Sequence, residues 1–275
     1  MKKIGFIDYY ISEWHANNYV GWIHDITDEY RVSYAWAEMD VSPTDGVNTD
    51  TWCEKYGVER CASIEEVCEK SDVVVILCPS APEKHLEYAK AVLPYGKRTY
   101  IDKTFSPDLA EAKEIFAIAE KYGTPFFSTS ALRYADELAA VSDCRRIVTT
   151  GGGRSCDEYI VHQAEMVVKK LGLGAEAIRA DGDTALCTFQ VRYADGRSAT
   201  MQYAAPMPFT LYMAGDRNAY TSVKSDFFKH LIADMVRFFK EGTISFDTAE
   251  TLEVMRIREG AIKAMQAPDC WIPLM

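Results

Sequence analysis

Apolar runs separated by helical and turn patterns dominate the first half of the chain. Lys3 to Ile7, Arg31 to Ala37, Val73 to Leu77 and Arg98 to Ile101 read as strands. The third is β-branched and free of charge, the pattern of a strand buried on both faces of a parallel sheet. Between these runs Ile64–Lys70 reads as a short amphipathic helix, with Ser63 and Glu66 at capping-box spacing. Helical spacing also predicts a helix from about Glu83 to Leu93, with His85, Tyr88, Ala89 and Val92 on one side. A long helix over Pro107–Tyr122 places Pro107 in its first turn and Gly123 at its end. Phe126–Ser130 reads as a further strand, and a helix begins at about Asp136. Strand, crossover helix and strand in repetition make a doubly wound parallel sheet, whose ligands bind beyond the carboxyl ends of the strands. Pro79-Ser80 and Asp102-Lys103 are two such ends and look into one crevice.

The alternation of strand and helix then stops, which divides the chain into 1–130 and 131–275. Arg146–Thr150 is a strand running into Gly151-Gly152-Gly153, read as a flexible or tightly turning segment, and a helix follows from about Asp157 to Leu171. Strand-like runs occupy Ala177–Ala180, Ala185–Tyr193, Ser198–Ala204 and Phe209–Ala214, with a hairpin turn at Ala194-Asp195-Gly196-Arg197. Helices over about Asp226–Glu241 and Thr248–Met265 complete an α+β domain with a mainly antiparallel open sheet, helices on one face.

Charge and cysteine content narrow the partners. The net charge is −11 over 275 residues, which argues against nucleic acid and anionic membranes. No apolar run approaches the roughly 18–20 residues of a membrane span. Asp8 and Glu13 interrupt the apolar segment that a signal peptide needs after Met1-Lys2-Lys3, so a cytoplasmic location is expected. The eight cysteines show no zinc-ligand spacing and read as buried thiols; Cys156, beside a candidate helix, is the one with a reactive alternative.

In a dinucleotide-binding fold the turn after the first strand is glycine-rich, so that backbone amides meet the pyrophosphate. Here Asp8-Tyr9-Tyr10-Ile11-Ser12-Glu13-Trp14-His15 holds no glycine, and Asp8, Tyr9 and Tyr10 stand at the cofactor position. NAD or NADP is therefore expected to bind weakly or in a displaced pose. Glu38 and Asp40, after the second strand, are both candidates for the acid that binds an adenosine ribose.

The run SDVVVILCPSAPEKHLEYAKAVLPYGKRTYIDKTFSPDLAEAKEIFAIAEKYG resembles the core of the Gfo/Idh/MocA oxidoreductases, named for glucose-fructose oxidoreductase, inositol dehydrogenase and rhizopine catabolism. That family has a Thr/Cys-Pro-x-x-x-His segment, then Glu-Lys-Pro at the next strand end; Asp102-Lys103-Thr104 stands at the latter place here. The resemblance implies a Rossmann-type domain with a substrate domain, and an NAD- or NADP-dependent oxidoreductase acting on a sugar, polyol or related hydroxy compound. Pro79, Ser80 and Asp102, at the strand ends, are the further cofactor candidates; by resemblance His85 lies near the nicotinamide, with a helix-capping or structural role as the alternative. The resemblance also implies a homo-oligomer through the open sheet, where Tyr193, Met201, Tyr203, Phe209, Leu211 and Met213 are expected to supply an apolar surface.

Oxidising a secondary alcohol requires a base for the hydroxyl proton and a cation near the oxygen. On the helix from Asp157, the stripe Ile160, Val161, Ala164, Val167, Val168 and Leu171 leaves His162 opposite, with Glu158 at i−4 and Glu165 at i+3. The family pattern Asp-x-x-x-His-x-x-Asp aligns on His162, which by resemblance makes Lys103, His162 and Glu158 the catalytic candidates. Asp157 remains the alternative acid or a capping residue, and Arg133 and Tyr134 are expected at the substrate pocket. No third ligand accompanies Glu158 and His162, so no metal is expected. Two other readings stand beside the dehydrogenase: a redox-inactive relative that binds a small polar ligand, and lyase chemistry using proton transfer alone.

Overall fold

The computed structural model describes residues 1–274. Two compact units emerge, Met1–Thr129 with Lys229–Ser245, and Ser130–Phe228 with Phe246–Met275.

In the first unit the chain order is β1 (Lys2–Asp8), α1 (Trp14–Ile26), β2 (Tyr30–Ala37), α2 (Thr49–Tyr56), β3 (Glu59–Arg60), α3 (Ile64–Lys70) and β4 (Val73–Ile76). There follow α4 (His85–Val92), β5 (Thr99–Ile101), α5 (Leu109–Tyr122) and β6 (Phe126–Phe127). All neighbouring strands are parallel, in the order β3-β2-β1-β4-β5-β6. The direction of winding reverses between β1 and β4, so the β1–α1 loop lies where such sheets bind ligands. Val73, Val74, Val75 and Ile76 are all buried, as a charge-free central strand requires. Ser63 caps α3 by accepting from Glu66 N at 3.2 Å, while Glu66 reaches back to Ala62 N at 2.6 Å. The cap of α5 is Asp108, which accepts from Glu111 N at 2.9 Å, so Pro107 precedes the helix and does not start it. Gly123 ends α5 in the left-handed conformation with φ 62°.

The second unit holds β7 (Cys144–Gly151), α6 (Cys156–Leu171), β8 (Ala175–Gly182), β9 (Cys187–Tyr193), β10 (Ser198–Tyr203), β11 (Thr210–Gly215) and β12 (Asn218–Ser222). After α7 (Phe227–Glu241) come α8 (Ala249–Gln266) and β13 (Ile272–Pro273). Its sheet runs β12-β11-β7-β10-β9-β8-β13 and is antiparallel except where β10 pairs with β7. Helix α7 belongs almost wholly to the first unit, contrary to an uninterrupted second domain. The Phe239 carbonyl accepts from Tyr30 Oη at 2.8 Å and from Arg98 Nη1 at 2.5 Å, and Phe238 packs edge-on against Phe127.

Three further expectations change. Asp136–Ala140 is a short 3-10 turn, like Ala131–Tyr134 before it. Tyr193, Met201, Tyr203, Leu211 and Met213 are buried in one core with Ile160, Val161 and Val168 of α6 and Val254 and Ile257 of α8, and Phe209 is packed against that core. Side chains alternate along a strand, so the opposite face carries Thr188, Gln190, Arg192, Ser198, Thr200 and Gln202, none of them buried. The residues expected to supply an apolar contact surface thus lie in the core instead. The three glycines serve close packing: a Cβ on Gly152 would stand 1.9 Å from the Ala204 carbonyl oxygen, and one on Gly153 2.2 Å from the Tyr159 ring. Gln163 of α6 fixes the helix to the sheet beside them, donating to the carbonyls of Gly151 at 3.1 Å and Gln202 at 2.9 Å.

Candidate functional site

In the first unit β1 delivers Asp8 to its carboxyl end with the side chain buried, where Oδ1 accepts from Tyr9 N at 2.7 Å and Cys78 N at 3.1 Å. Oδ2 is buried without a partner. Burial pushes the Asp8 carboxyl well above the usual carboxylate range, and the charge of Glu13 adds to it. Glu13 is the N-cap of α1. Its carboxylate folds back over the helix start, accepting from His15 N at 2.7 Å and also from Ala16 N. Burial raises this carboxyl too, although His15 and the two amides pull it down. His15 Nδ1 lies 2.7 Å from Asp102 Oδ2, and Tyr100 Oη donates to Asp102 Oδ1 at 3.0 Å. Burial pushes Asp102 up, yet the charge and hydrogen bond of His15, with Lys103, more than offset it and hold that carboxyl low.

The crevice of the first unit is thus lined by buried acids, with one histidine between them. A dinucleotide seated in the usual way needs the α1 amides for its pyrophosphate. Glu13 already holds two of them, so the residues present do not fit that pose.

The remaining cofactor candidates are engaged with their neighbours. Glu38 takes Lys84 Nζ at 2.7 Å and the Tyr88 hydroxyl at 2.7 Å, and Asp40 pairs with Arg60 at 2.9 Å. Tyr9 and Tyr10 are half-buried, and Tyr9 lies under the Lys84 ammonium, 5.7 Å from its ring centre. Pro79 is buried and Ser80 exposed. His85 is fully buried, its ring nitrogens 3.0 Å from the Phe105 carbonyl and 2.7 Å from the Leu77 carbonyl, where it ties two loops together. Lys103 is half-buried with its Nζ 3.4 Å from the Pro79 carbonyl, and the Lys103–Thr104 peptide is cis.

In the second unit α6 presents His162, half-buried, with Nδ1 2.7 Å from Ser130 Oγ and the rings of Tyr159 and Phe209 around it. Ser130 is itself fixed. Its Oγ accepts from Leu132 N at 3.2 Å, and its backbone N–H donates to Glu165 Oε2 at 3.1 Å. Glu165 is buried and paired with Arg133 Nε at 2.7 Å; Arg133 also contacts Glu250 and lies 4.0 Å over the Phe246 ring. So the structure joins His162, Glu165 and Arg133 through a residue that sequence reasoning passed over. Glu158 turns elsewhere, accepting from Arg154 Nε and Nη2 at 2.8 Å each. Asp157 is exposed, Tyr134 half-buried, and the α6 cap is Ser155, which accepts from Glu158 N at 3.3 Å. Cys156 is buried and its thiol is pushed up to about 12 by burial, the mark of an inert cysteine.

The buried acids have a consequence for stability. A carboxyl whose pKa rises on folding binds its proton more tightly in the folded chain. Its contribution is fully present below the ordinary aspartate range and is lost as pH rises through the folded value. Asp8→Asn cannot ionise, so its melting temperature should exceed that of the wild type at pH 8, with the gap closing toward pH 5. Thermal unfolding at both pH values reads this out, and a pH-independent gap would show that Asp8 carries no such shift.

Residues 36–130 match the family model described as "Oxidoreductase family, NAD-binding Rossmann fold" of GFO_IDH_MocA, a match that begins beyond the Glu13 loop. An uncharacterised oxidoreductase, YhhX of Escherichia coli K12, is 38% identical over 68 residues, which is 24% of this chain and 20% of that protein. The matched stretch therefore spans about a fifth of that relative. Myo-inositol 2-dehydrogenase from Lactobacillus plantarum is similar in fold, with a TM-score of 0.80 at 11% identity over 100% of this chain and 99% of that one. GenD2 from gentamicin A biosynthesis, solved in complex with NAD, gives 0.81 at 12% identity over 100% and 97%. Together with the parallel sheet and its switch point, these findings show a Rossmann-type first unit whose residues 36–130 are similar to the NAD-binding domain of the Gfo/Idh/MocA oxidoreductases.

Proposed function

We propose that the protein is an oxidoreductase for a polyhydroxylated small molecule, a sugar or polyol, with His162 handling the hydroxyl proton and Lys103 the substrate oxygen. The orientation of His162 carries this reading: Ser130 Oγ meets Nδ1 at 2.7 Å and is anchored to the buried Glu165–Arg133 pair. With Nδ1–H donating to Ser130, Nε2 holds the lone pair that accepts a proton, and a ring fixed in this way needs little reorganisation in a transition state. Glu158, nominated as the orienting acid, is engaged by Arg154, so Ser130 takes that role in the proposal. A nicotinamide dinucleotide, when bound, would supply hydride acceptance. The inositol dehydrogenases among the protein's structural relatives favour a ring polyol as substrate.

A second reading, a redox-inactive relative that binds a small polar ligand, is favoured by the Glu13 carboxylate on the α1 amides. The two separate in one experiment. Inositols, aldoses and their phosphate-free derivatives are supplied with NAD or NADP, and reduced cofactor is followed by absorbance while thermal shift reports binding. Reduction of the cofactor supports the dehydrogenase. A thermal shift with sugar alone, and none with either cofactor, supports the second reading.

A further inference from the structure

We infer that Glu13 is a built-in occupant of the pyrophosphate seat on α1, so that a dinucleotide binds there only by displacing it. A glutamate carboxylate and a phosphate oxygen pair are chemically alike as acceptors, and both are favoured at a helix amino terminus. Here the protein's own carboxylate takes the amides of His15 and Ala16 and is 8% exposed. The loop that carries it is anchored. Met39 N donates to the Tyr9 carbonyl at 2.7 Å, Ser12 Oγ to Asp45 at 2.7 Å, and Ser42 Oγ to the Ser12 carbonyl at 2.8 Å, while Ile11 is buried.

An incoming phosphate would also meet further negative charge. Asp102 is buried beside His15, with its carboxyl held low by that histidine. Like charges brought this close in a water-poor crevice oppose one another more strongly than they would in water. The family model begins to match only at residue 36, beyond this loop, as expected if the loop has lost its phosphate-binding task. The inference rests on the Rossmann unit and not on the choice of substrate.

The test titrates the full chain with ADP and with NAD by calorimetry, comparing wild type, Glu13→Ala and Glu13→Gln. ADP carries a pyrophosphate without nicotinamide and so reports the seat alone. Glu13→Ala should bind both ligands at least about tenfold more tightly than wild type, the factor that about 1.4 kcal/mol of relieved opposition converts to. Glu13→Gln, which loses the charge and keeps an acceptor, should fall between them, and it carries the test should the alanine variant fail to fold. Sub-micromolar binding by the wild type, or equal affinities across the folded variants, would overturn the inference. Gain of ADP binding without turnover on any sugar leaves it standing and removes only the dehydrogenase reading. Turnover by the wild type with no gain in the variants does the reverse.

Discussion

His162→Ala should lower turnover by roughly 10²–10⁴-fold, the range of a positioned general base, while circular dichroism and melting temperature stay near those of the wild type. The half-buried ring sits on the side of α6 away from its apolar stripe, so its loss empties little of the core. Lys103→Met should cost a similar factor, because an ammonium next to developing alkoxide charge acts mainly in the transition state. If both residues serve one step, the double variant will be little worse than either single one. Ser130→Ala should move the pH profile of kcat/KM, since it removes the group on Nδ1 that sets the tautomer, and Ser130→Thr should restore it. Glu158→Gln should cost less than about tenfold, because that carboxylate is spent on Arg154 at the surface. Near-normal turnover in His162→Ala would remove the histidine from the chemistry.

Much of this arrangement was legible in the sequence because it depends on periodicity and on local caps. The β-branched run at Val73–Ile76, the Ser63 cap and the Gly123 stop all act within a few residues of chain, and each appears where expected. The missing glycines after β1 were equally plain, and they flagged the crevice. What filled it was not. Glutamate is an uncommon capping residue, and its role depends on a loop whose anchors, Met39, Ser42 and Asp45, lie some thirty residues on. The link between His15 and Asp102 is of the same kind, two residues far apart in sequence that meet because β1 and β5 flank β4. Ser130 was hidden inside a strand drawn too long; β6 stops at Phe127, which frees the Ser-Thr-Ser run to turn. On the second sheet the alternation was visible, but which of its two faces met the helices was not, because period two fixes a pair of faces without saying which is covered.

Removing the Arg133 side chain should bring the largest loss of stability. Arg133 and Glu165 are each 3% exposed, and their ion pair is closed by Glu250 and by the Phe246 ring beneath the guanidinium. Burial pushes the Glu250 carboxyl up, and Arg133 partly offsets this. Arg133→Met fills much of the volume yet leaves Glu165 charged and unpaired in the interior. Breaking a buried pair in this way costs about 3–5 kcal/mol, which at about 2–4 °C per kcal/mol for a chain of this size means a fall in Tm on the order of 10 °C. Arg133→Lys should not rescue it, because an ammonium cannot span two acids and stack on an aromatic ring as a planar guanidinium does. The double variant Arg133→Met with Glu165→Gln should recover part of the loss, since it deletes the stranded charge and leaves the glutamine carbonyl to accept from Ser130 N. A double-mutant cycle read by thermal melts separates this from simple loss of packing. If the double variant melts no higher than Arg133→Met alone, the stranded charge is not the cause, and Arg133 holds the unit together by its contacts with Phe246 and Glu250.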